Sequence, residues 1–143
     1  MRRRRSALPP RLPRCVLDSG GLSALIDGSQ HARAGWVVEH QGSVLVPTPV
    51  LVETITGEPG RDAEVNRVLG AFVRAGGVLV APDEGTARRA GALRFRARTD
   101  DGIDALVAAA ALGDGGACVL LTSDPDDLSR LLQHAPQVAV RVV

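Results

Sequence analysis

Residues 14–27 and 118–132 read RCVLDSGGLSALID and CVLLTSDPDDLSRLL, and these two stretches decide the fold class. In each stretch a short apolar run of strand length ends at an aspartate, and residues with helical spacing follow directly. Parallel strands need a crossover connection, which is usually a helix, so a strand that turns straight into a helix is typical of a parallel sheet.

The rest of the chain continues this alternation. Short apolar runs, most of them rich in valine, predict five strands, at 15–17, 44–46, 78–80, 118–121 and 138–143. Stretches with helical spacing predict helices between and beside them, at 21–27, 32–40, 49–55, 63–75, 84–97, 101–112 and 125–133. Strands that are apolar along nearly their whole length belong in a sheet covered on both faces. The sequence therefore predicts an α/β fold, a three-layer α/β/α sandwich around a mostly parallel sheet of about five strands.

The length of 143 residues and the hydrophobic content of 45% suit one domain with one core. Residues 1–13, MRRRRSALPPRLP, combine like charges with prolines, so we expect a disordered arm there and a folded domain over 14–143. Beyond residue 14 the chain carries 11 basic and 16 acidic side chains. The domain therefore lacks a general basic field for nucleic acid, and any such binding has to be local.

The composition also excludes several classes of protein. All 17 basic residues are arginines, which rules out chemistry that needs a lysine, such as that of P-loop enzymes and Schiff-base enzymes. Cys15 and Cys118 each lie in an apolar run, where buried thiols in a reducing compartment are expected. The longest plain apolar run, 105–112, is too short to span a membrane. We therefore expect a cytoplasmic protein with no membrane partner.

Acidic residues follow or flank the predicted strands. Asp18 ends the first strand and Asp124 follows the fourth, and the carboxyl ends of parallel strands share one edge of a sheet. Glu53 lies in the helix after the second strand and can lean over that edge. Asp101 and Asp104 are three residues apart at a helix start, so they share a face. A cluster of carboxylates at this edge is therefore geometrically possible.

Crowded carboxylates raise one another's pKa unless a hard cation lies among them, and Mg²⁺ and Mn²⁺ take oxygen ligands of this kind. Each acid also has a purely structural interpretation. Asp101, Asp104 and Asp124 can cap their helices and complement the helix dipoles. Asp18 is harder to explain in that way, because a carboxylate at the end of a buried strand needs a partner.

Four motifs together resemble the PIN-domain nucleases, and within them the VapC-type toxins of bacterial toxin–antitoxin pairs. The motifs are VLDSGGLSALI at 16–26, VPTPVLVE at 46–53, DDGIDALVAAAAL at 100–112 and LLTSDPDDLSRLL at 120–132. Their order and spacing agree with the family from about residue 14 to residue 143. The resemblance implies a PIN-like fold and a metal-dependent endoribonuclease that hydrolyses RNA phosphodiester bonds and leaves a 3′-hydroxyl and a 5′-phosphate.

The resemblance also implies the site residues. The catalytic acids would be Asp18, Glu53, Asp104 and Asp124, which would hold one or two Mg²⁺ or Mn²⁺ ions, with Asp101 as an auxiliary ligand. Asp126 or Asp127 can take the place of Asp124. Ser19, Thr122 and Ser123 would support the ligands through hydrogen bonds. At Gly20 the sequence departs from the family pattern, because many relatives have a serine or an asparagine there.

A basic stretch without any acid precedes the third motif. It contains Arg88, Arg89, Arg94, Arg96 and Arg98. These guanidinium groups either form a solvated helix face or hold RNA phosphates on either side of the cut. The partners that the resemblance implies are an RNA substrate, a cognate antitoxin protein and a second copy of the chain in a homodimer.

The sequence leaves one other function open and argues against a second. A PIN-like binding module that has lost catalysis is the first, because Gly20 removes a hydrogen-bonding side chain from the site. A phosphotransfer receiver domain also gathers aspartates at strand ends, but such domains need a strand-end lysine that this chain lacks.

Overall fold

The structure is a computed structural model that describes residues 13–28 and 43–143, and this part of the chain contains five strands and six helices. The strands are β1 (Arg14–Leu17), β2 (Val44–Pro47), β3 (Val78–Val80), β4 (Cys118–Thr122) and β5 (Val138–Val142). The helices are α1 (Ser19–Asp27), α2 (Leu51–Thr54), α3 (Pro59–Arg74), α4 (Glu84–Ala97), α5 (Gly102–Leu112) and α6 (Pro125–Leu131). A short 3₁₀ helix, Thr48–Val50, leads into α2.

The five strands form one parallel sheet in the order β3-β2-β1-β4-β5. The chain moves outward from β1 to β3, then crosses back to β4 on the other side of β1. Because such crossovers are right-handed, the two halves place their helices on opposite faces of the sheet. Accordingly α1 packs against α3, whereas α4, α5 and α6 pack against one another. The predicted three-layer α/β/α sandwich is confirmed.

The core lies around the two central strands. Val16 and Leu120 are fully buried on β1 and β4, and Leu22 on α1 and Val107 on α5 are fully buried against the sheet. Burying a leucine or valine side chain contributes about 1.5–3 kcal/mol. Four buried alanines of α5, Ala105, Ala108, Ala109 and Ala111, let this helix lie close to the strands.

The start of α3 differs from the prediction. The helix begins at Pro59, because the Glu58 side chain caps it by accepting from the N–H of Gly60 at 2.9 Å and proline suits a first turn. Asp62 accepts from the N–H of Thr56 at 2.9 Å and ties down the preceding loop. The predicted start at residue 63 is therefore wrong by one helical turn. The predicted bounds of 84–97 for α4 are confirmed.

Cys15 and Cys118 lie on the neighbouring strands β1 and β4, and both thiols are buried and unpaired. The register pairs Cys15 with Val119, so the two cysteine side chains point to opposite faces of the sheet. Burial, with a smaller contribution from Cys118, raises the pKa of Cys15 to about 12, which leaves that thiol protonated and unreactive.

Two predictions fall outside the described residues. They are the helix at 32–40 and, apart from Pro13, the arm at 1–13. In the part of the chain that the structure does describe, each helix is too short or too polar to cross a bilayer.

Candidate metal centre

The strand order reverses between β1 and β4, and a crevice opens beyond the carboxyl ends of these two strands. Asp18 follows β1, and its N–H donates to the Leu121 carbonyl of β4 at 3.3 Å. Asp18, Asp101 and Asp124 are the N-cap residues of α1, α5 and α6. The positive ends of these helix dipoles offset part of the negative charge of the acids that cap them.

Asp104, in the first turn of α5, has the most perturbed carboxyl group of this crevice. Several causes together raise the pKa of Asp104 to about 7. Burial is the largest cause, and the negative charges of Asp101, Asp18, Glu53 and Asp127 add to it. Like charges act on a carboxyl group in this way only from nearby. Acids from four separate segments of the chain therefore converge around Asp104.

Three of these acids form the tightest group. Asp101, Asp104 and Asp127 are half-buried and each offers a carboxylate oxygen, and these oxygens lie within 4.8 Å of one another. Asp101 uses one oxygen to accept from the N–H of Asp104 at 2.9 Å, which leaves its other oxygen free for a ligand. Asp127 lies in the first turn of α6 and forms a salt bridge with Arg130. Carboxylate oxygens spaced like this suit a hard cation.

Asp124 lies next to this group but is engaged differently. Its side chain accepts from the N–H of Asp126 at 3.4 Å and caps α6. The Thr122 hydroxyl bonds to both the N–H and the carbonyl of Asp124, each at 3.0 Å. Its assignment as a metal ligand stays a prediction. Asp127, an alternative that the sequence left open, is the acid of this segment that joins the three-oxygen group.

Asp18 and Glu53 act on Asp104 from two other segments of the chain. Asp18 is only 6% exposed, and one of its oxygens accepts from the N–H of Gly21 at 2.8 Å. Burial raises the pKa of Asp18, hydrogen bonding from Thr122 and from backbone N–H groups opposes this rise, and the charge of Glu53 adds to it. The Ser19 hydroxyl donates to Oε2 of Glu53 at 2.6 Å. Ser19 therefore holds α2 and its glutamate against the start of α1.

Gly20 and Ser123 are in direct contact across the crevice. A Cβ on Gly20 would lie 2.7 Å from the Ser123 nitrogen, 2.8 Å from its Cβ, and closer still to its hydroxyl. Position 20 therefore has no room for a side chain, and Ser123 brings a hydroxyl group to the same place. A single sequence holds no signal for this coupling, because the two residues lie far apart in the chain.

An open groove of about 410 Å³ adjoins the acids. The side chains of Ser19, Ser23 and Ser123 line it, together with two acids, Glu53 and Asp27. Hydroxyl groups donate to phosphate and sugar oxygens without adding charge. The groove is therefore a polar surface beside α1 that includes Glu53.

The five arginines of α4 and its C-cap divide into two sets. Arg88 forms a salt bridge with Glu84 at 2.8 Å, and Arg89 donates to the carbonyl of Gly113 at 2.9 Å. The remaining guanidinium groups have no hydrogen-bond or ion-pair partner among residues 13–28 and 43–143, and they belong to Arg94, Arg96 and Arg98.

The sheet order and the carboxylate cluster together define a parallel α/β protein with an acidic site at its strand switch point. A family model described as PIN domain matches residues 15–131, and the chain belongs to this family. PIN domains are generally nucleases and generally bind divalent metals. A comparison with curated proteins gives no match.

Three solved structures share the fold. VapBC2 from Rickettsia felis, bound to a DNA fragment from its promoter, aligns with a TM-score of 0.68 at 13% identity, over 90% of this chain and 98% of that one. DNA-bound VapBC from Salmonella typhimurium aligns with a TM-score of 0.64 at 17% identity, over 91% of this chain and 98% of that one. FitAB bound to an IR36 DNA fragment aligns with a TM-score of 0.61 at 16% identity, over 90% of this chain and 94% of that one.

Proposed function

We propose that this PIN domain is a metal-dependent endoribonuclease that hydrolyses RNA phosphodiester bonds and acts as the toxin of a type II toxin–antitoxin pair. The observation that carries the proposal is the group of carboxylate oxygens of Asp101, Asp104 and Asp127, which lie within 4.8 Å of one another. The negative charges of Asp18 and Glu53 act on the same Asp104, near the strand switch point. Open α/β sheets bind their ligands in this crevice.

The donor set fits a divalent cation such as Mg²⁺ or Mn²⁺. All the donors are carboxylate oxygens, and negative charges crowded around a half-buried Asp104 are relieved when a cation lies among them. We propose that Asp101, Asp104 and Asp127 hold the ion, with Asp18 and Glu53 beside it. Such an ion, when bound, acidifies a water molecule and stabilises the negative charge of the scissile phosphate.

The protein groups around the acids would fix their orientation. We propose Asp18, Glu53 and Asp104 as catalytic acids, with either Asp124 or Asp127 as the fourth. Ser19 would position Glu53 through its 2.6 Å hydrogen bond. Thr122 would hold the start of α6, because its hydroxyl bonds to both the N–H and the carbonyl of Asp124. Ser123 would supply the hydroxyl group that position 20 lacks.

The substrate proposal rests on local features, because the folded domain is acidic overall. The guanidinium groups of Arg94, Arg96 and Arg98, which have no partner in the described part of the chain, suit phosphate binding. Arg88 and Arg89 are engaged within the protein, so we assign them a smaller share of RNA binding. The hydroxyl-lined groove offers contacts to the sugar-phosphate backbone of a strand that reaches the acids.

The partners are proposed from the likeness to VapBC and FitAB complexes. We propose a cognate antitoxin as the protein partner and a homodimer as the form of the toxin. The cytoplasm is the proposed location, since two buried, unpaired thiols suit a reducing compartment.

A cleavage assay tests the proposal. The purified chain is incubated with RNA in Mn²⁺, in Mg²⁺ and in EDTA, beside the variants Asp18→Asn and Asp104→Asn. We expect metal-dependent products with 5′-phosphate ends from the parent protein and none from either variant. Asp100→Asn is the matched control, because Asp100 is an exposed acid of the same segment. A parent protein that binds RNA and metal but cuts no RNA would instead be a noncatalytic binding module.

A further inference from the structure

Phe95 is an exposed aromatic residue that the fold does not explain. It lies in the last turn of α4 and is 87% exposed. The face of α4 that meets the protein carries Ala90, Leu93 and Ala97, and Phe95 points away from it. Phe72, the other phenylalanine of the chain, packs against the core. Stability therefore gives no reason for an aromatic ring at position 95.

The surroundings of Phe95 are cationic. Arg94 and Arg96 flank it, and Arg98 ends the helix in the left-handed conformation at φ 54°. These three guanidinium groups have no partner within the described ranges 13–28 and 43–143. Residues 85–99 contain no acid, although the domain as a whole carries more acids than arginines. The charge around the exposed ring is therefore local, and no acid among the described residues pairs with it.

Phe95 and the three arginines around it lie close in sequence to the acids. Arg98 is the C-cap of α4, and Asp101, the N-cap of α5, follows three residues later. The last turn of α4 therefore delivers the chain directly to the carboxylate crevice. Phe95 is six residues from Asp101, so their Cα atoms lie within about 22 Å of each other.

We propose that Phe95, Arg94, Arg96 and Arg98 form a platform for single-stranded RNA, in which the ring stacks on a base and the arginines pair with neighbouring phosphates. The inference rests on the proposed nuclease function, since it describes how the substrate is held beside the site. Cationic side chains around an exposed aromatic ring are the combination that binds single strands with little sequence preference. A duplex hides the faces of its bases, so the platform selects single-stranded segments.

The experiment is a fluorescence anisotropy titration of a labelled single-stranded RNA of about 12 nucleotides in EDTA. We expect Phe95→Leu, which keeps an apolar side chain but has no π face, to weaken binding about 5-fold to 100-fold. Phe95→Trp should bind as well as the parent protein. Arg98→Ala should reduce the slope of log affinity against log salt concentration by about one. Arg67→Ala, which removes an exposed guanidinium paired with Glu64 on α3, is the matched control and should leave binding unchanged.

Three results would overturn the platform. The first is an unchanged RNA affinity in Phe95→Leu. The second is a loss of affinity in Phe95→Leu that is equally large for an RNA whose bases have been removed. The third is a fall in molecular mass on Phe95→Leu, measured by light scattering, which would make the ring a contact between two copies of the chain. Cleavage in Mn²⁺ is measured in parallel, so a parent protein that still cuts RNA in any of these cases keeps its function while the platform fails.

Discussion

Replacement of Asp104 by asparagine should make the metal-free protein more stable at neutral and alkaline pH. The substitution keeps the shape of the side chain and removes the charge that Asp101, Asp18, Glu53 and Asp127 oppose. The N–H of residue 104, which donates to Asp101 and caps α5, is unaffected. A residue that stabilises the fold would give the opposite result, so the experiment separates a functional acid from a structural one.

The magnitude follows from the shift in the pKa of Asp104. The pKa rises from 3.8 to about 7, a difference that corresponds to roughly 4 kcal/mol at about 1.4 kcal/mol per pH unit. Asp104 is only half-buried, and solvent screening reduces the effect on stability. We therefore expect the free energy of unfolding to increase by about 2 kcal/mol in Asp104→Asn.

The pH dependence has a definite sign. Because the folded pKa is raised, the native state keeps a proton between about pH 4 and pH 7 that the unfolded chain has released. The stability of the parent protein therefore falls as pH rises through this window, and the contribution of Asp104 is constant above it. Asp104→Asn lacks this contribution. The two proteins should therefore be nearly equal in stability at pH 4, and their free energies of unfolding should differ by the full amount of about 2 kcal/mol at pH 8.

Urea unfolding in EDTA across this pH range measures the effect. Asp100→Asn is the control, because Asp100 is exposed and its replacement should change stability by less than about 0.5 kcal/mol. If Asp104→Asn is no more stable than the parent protein at pH 8, crowding of charges around Asp104 is not a feature of this molecule.

Three further predictions follow from single contacts. Ser19→Ala should weaken Mn²⁺ binding about 10-fold to 100-fold in a calorimetric titration, because Glu53 loses its 2.6 Å hydrogen bond. An unchanged affinity would contradict the role of Ser19 in positioning Glu53. Gly20→Ala should lower the free energy of unfolding by about 1–3 kcal/mol, whereas Gly91→Ala, at an open helix position, should raise it by about 0.5–1 kcal/mol. Cys15 should react with a thiol reagent only after unfolding, since burial holds its pKa at about 12, and rapid reaction of the native protein would contradict this.

Much of the fold could be predicted from the sequence because the signals are local. The buried strands β1 and β4 are apolar along their length, and the helices beside them begin at recognisable caps. The start of α3 was predicted wrongly because Glu58 and Asp62 are both acids with capping potential. Pro59, which suits a first turn, was the local signal that decides between them.

The candidate site was less accessible to sequence reasoning. Strand-end placement and helix spacing were enough to suggest Asp18 and Asp104, but not to choose between Asp124 and Asp127. Both lie at the start of α6, and the rotation of that helix against α5 decides which one meets Asp104. That rotation depends on packing between distant segments, as does the contact between Gly20 and its neighbouring loop.

The most direct test of the account is a calorimetric titration of Mn²⁺ into the metal-free protein and the variants Asp104→Asn, Asp127→Asn and Asp124→Asn. We predict that the parent protein binds the ion, that Asp104→Asn abolishes binding, and that Asp127→Asn weakens it more than Asp124→Asn does. The folded state of each variant is checked by its unfolding transition. A folded parent protein that binds no Mn²⁺ at millimolar concentration would contradict the central claim that these carboxylates form a metal site.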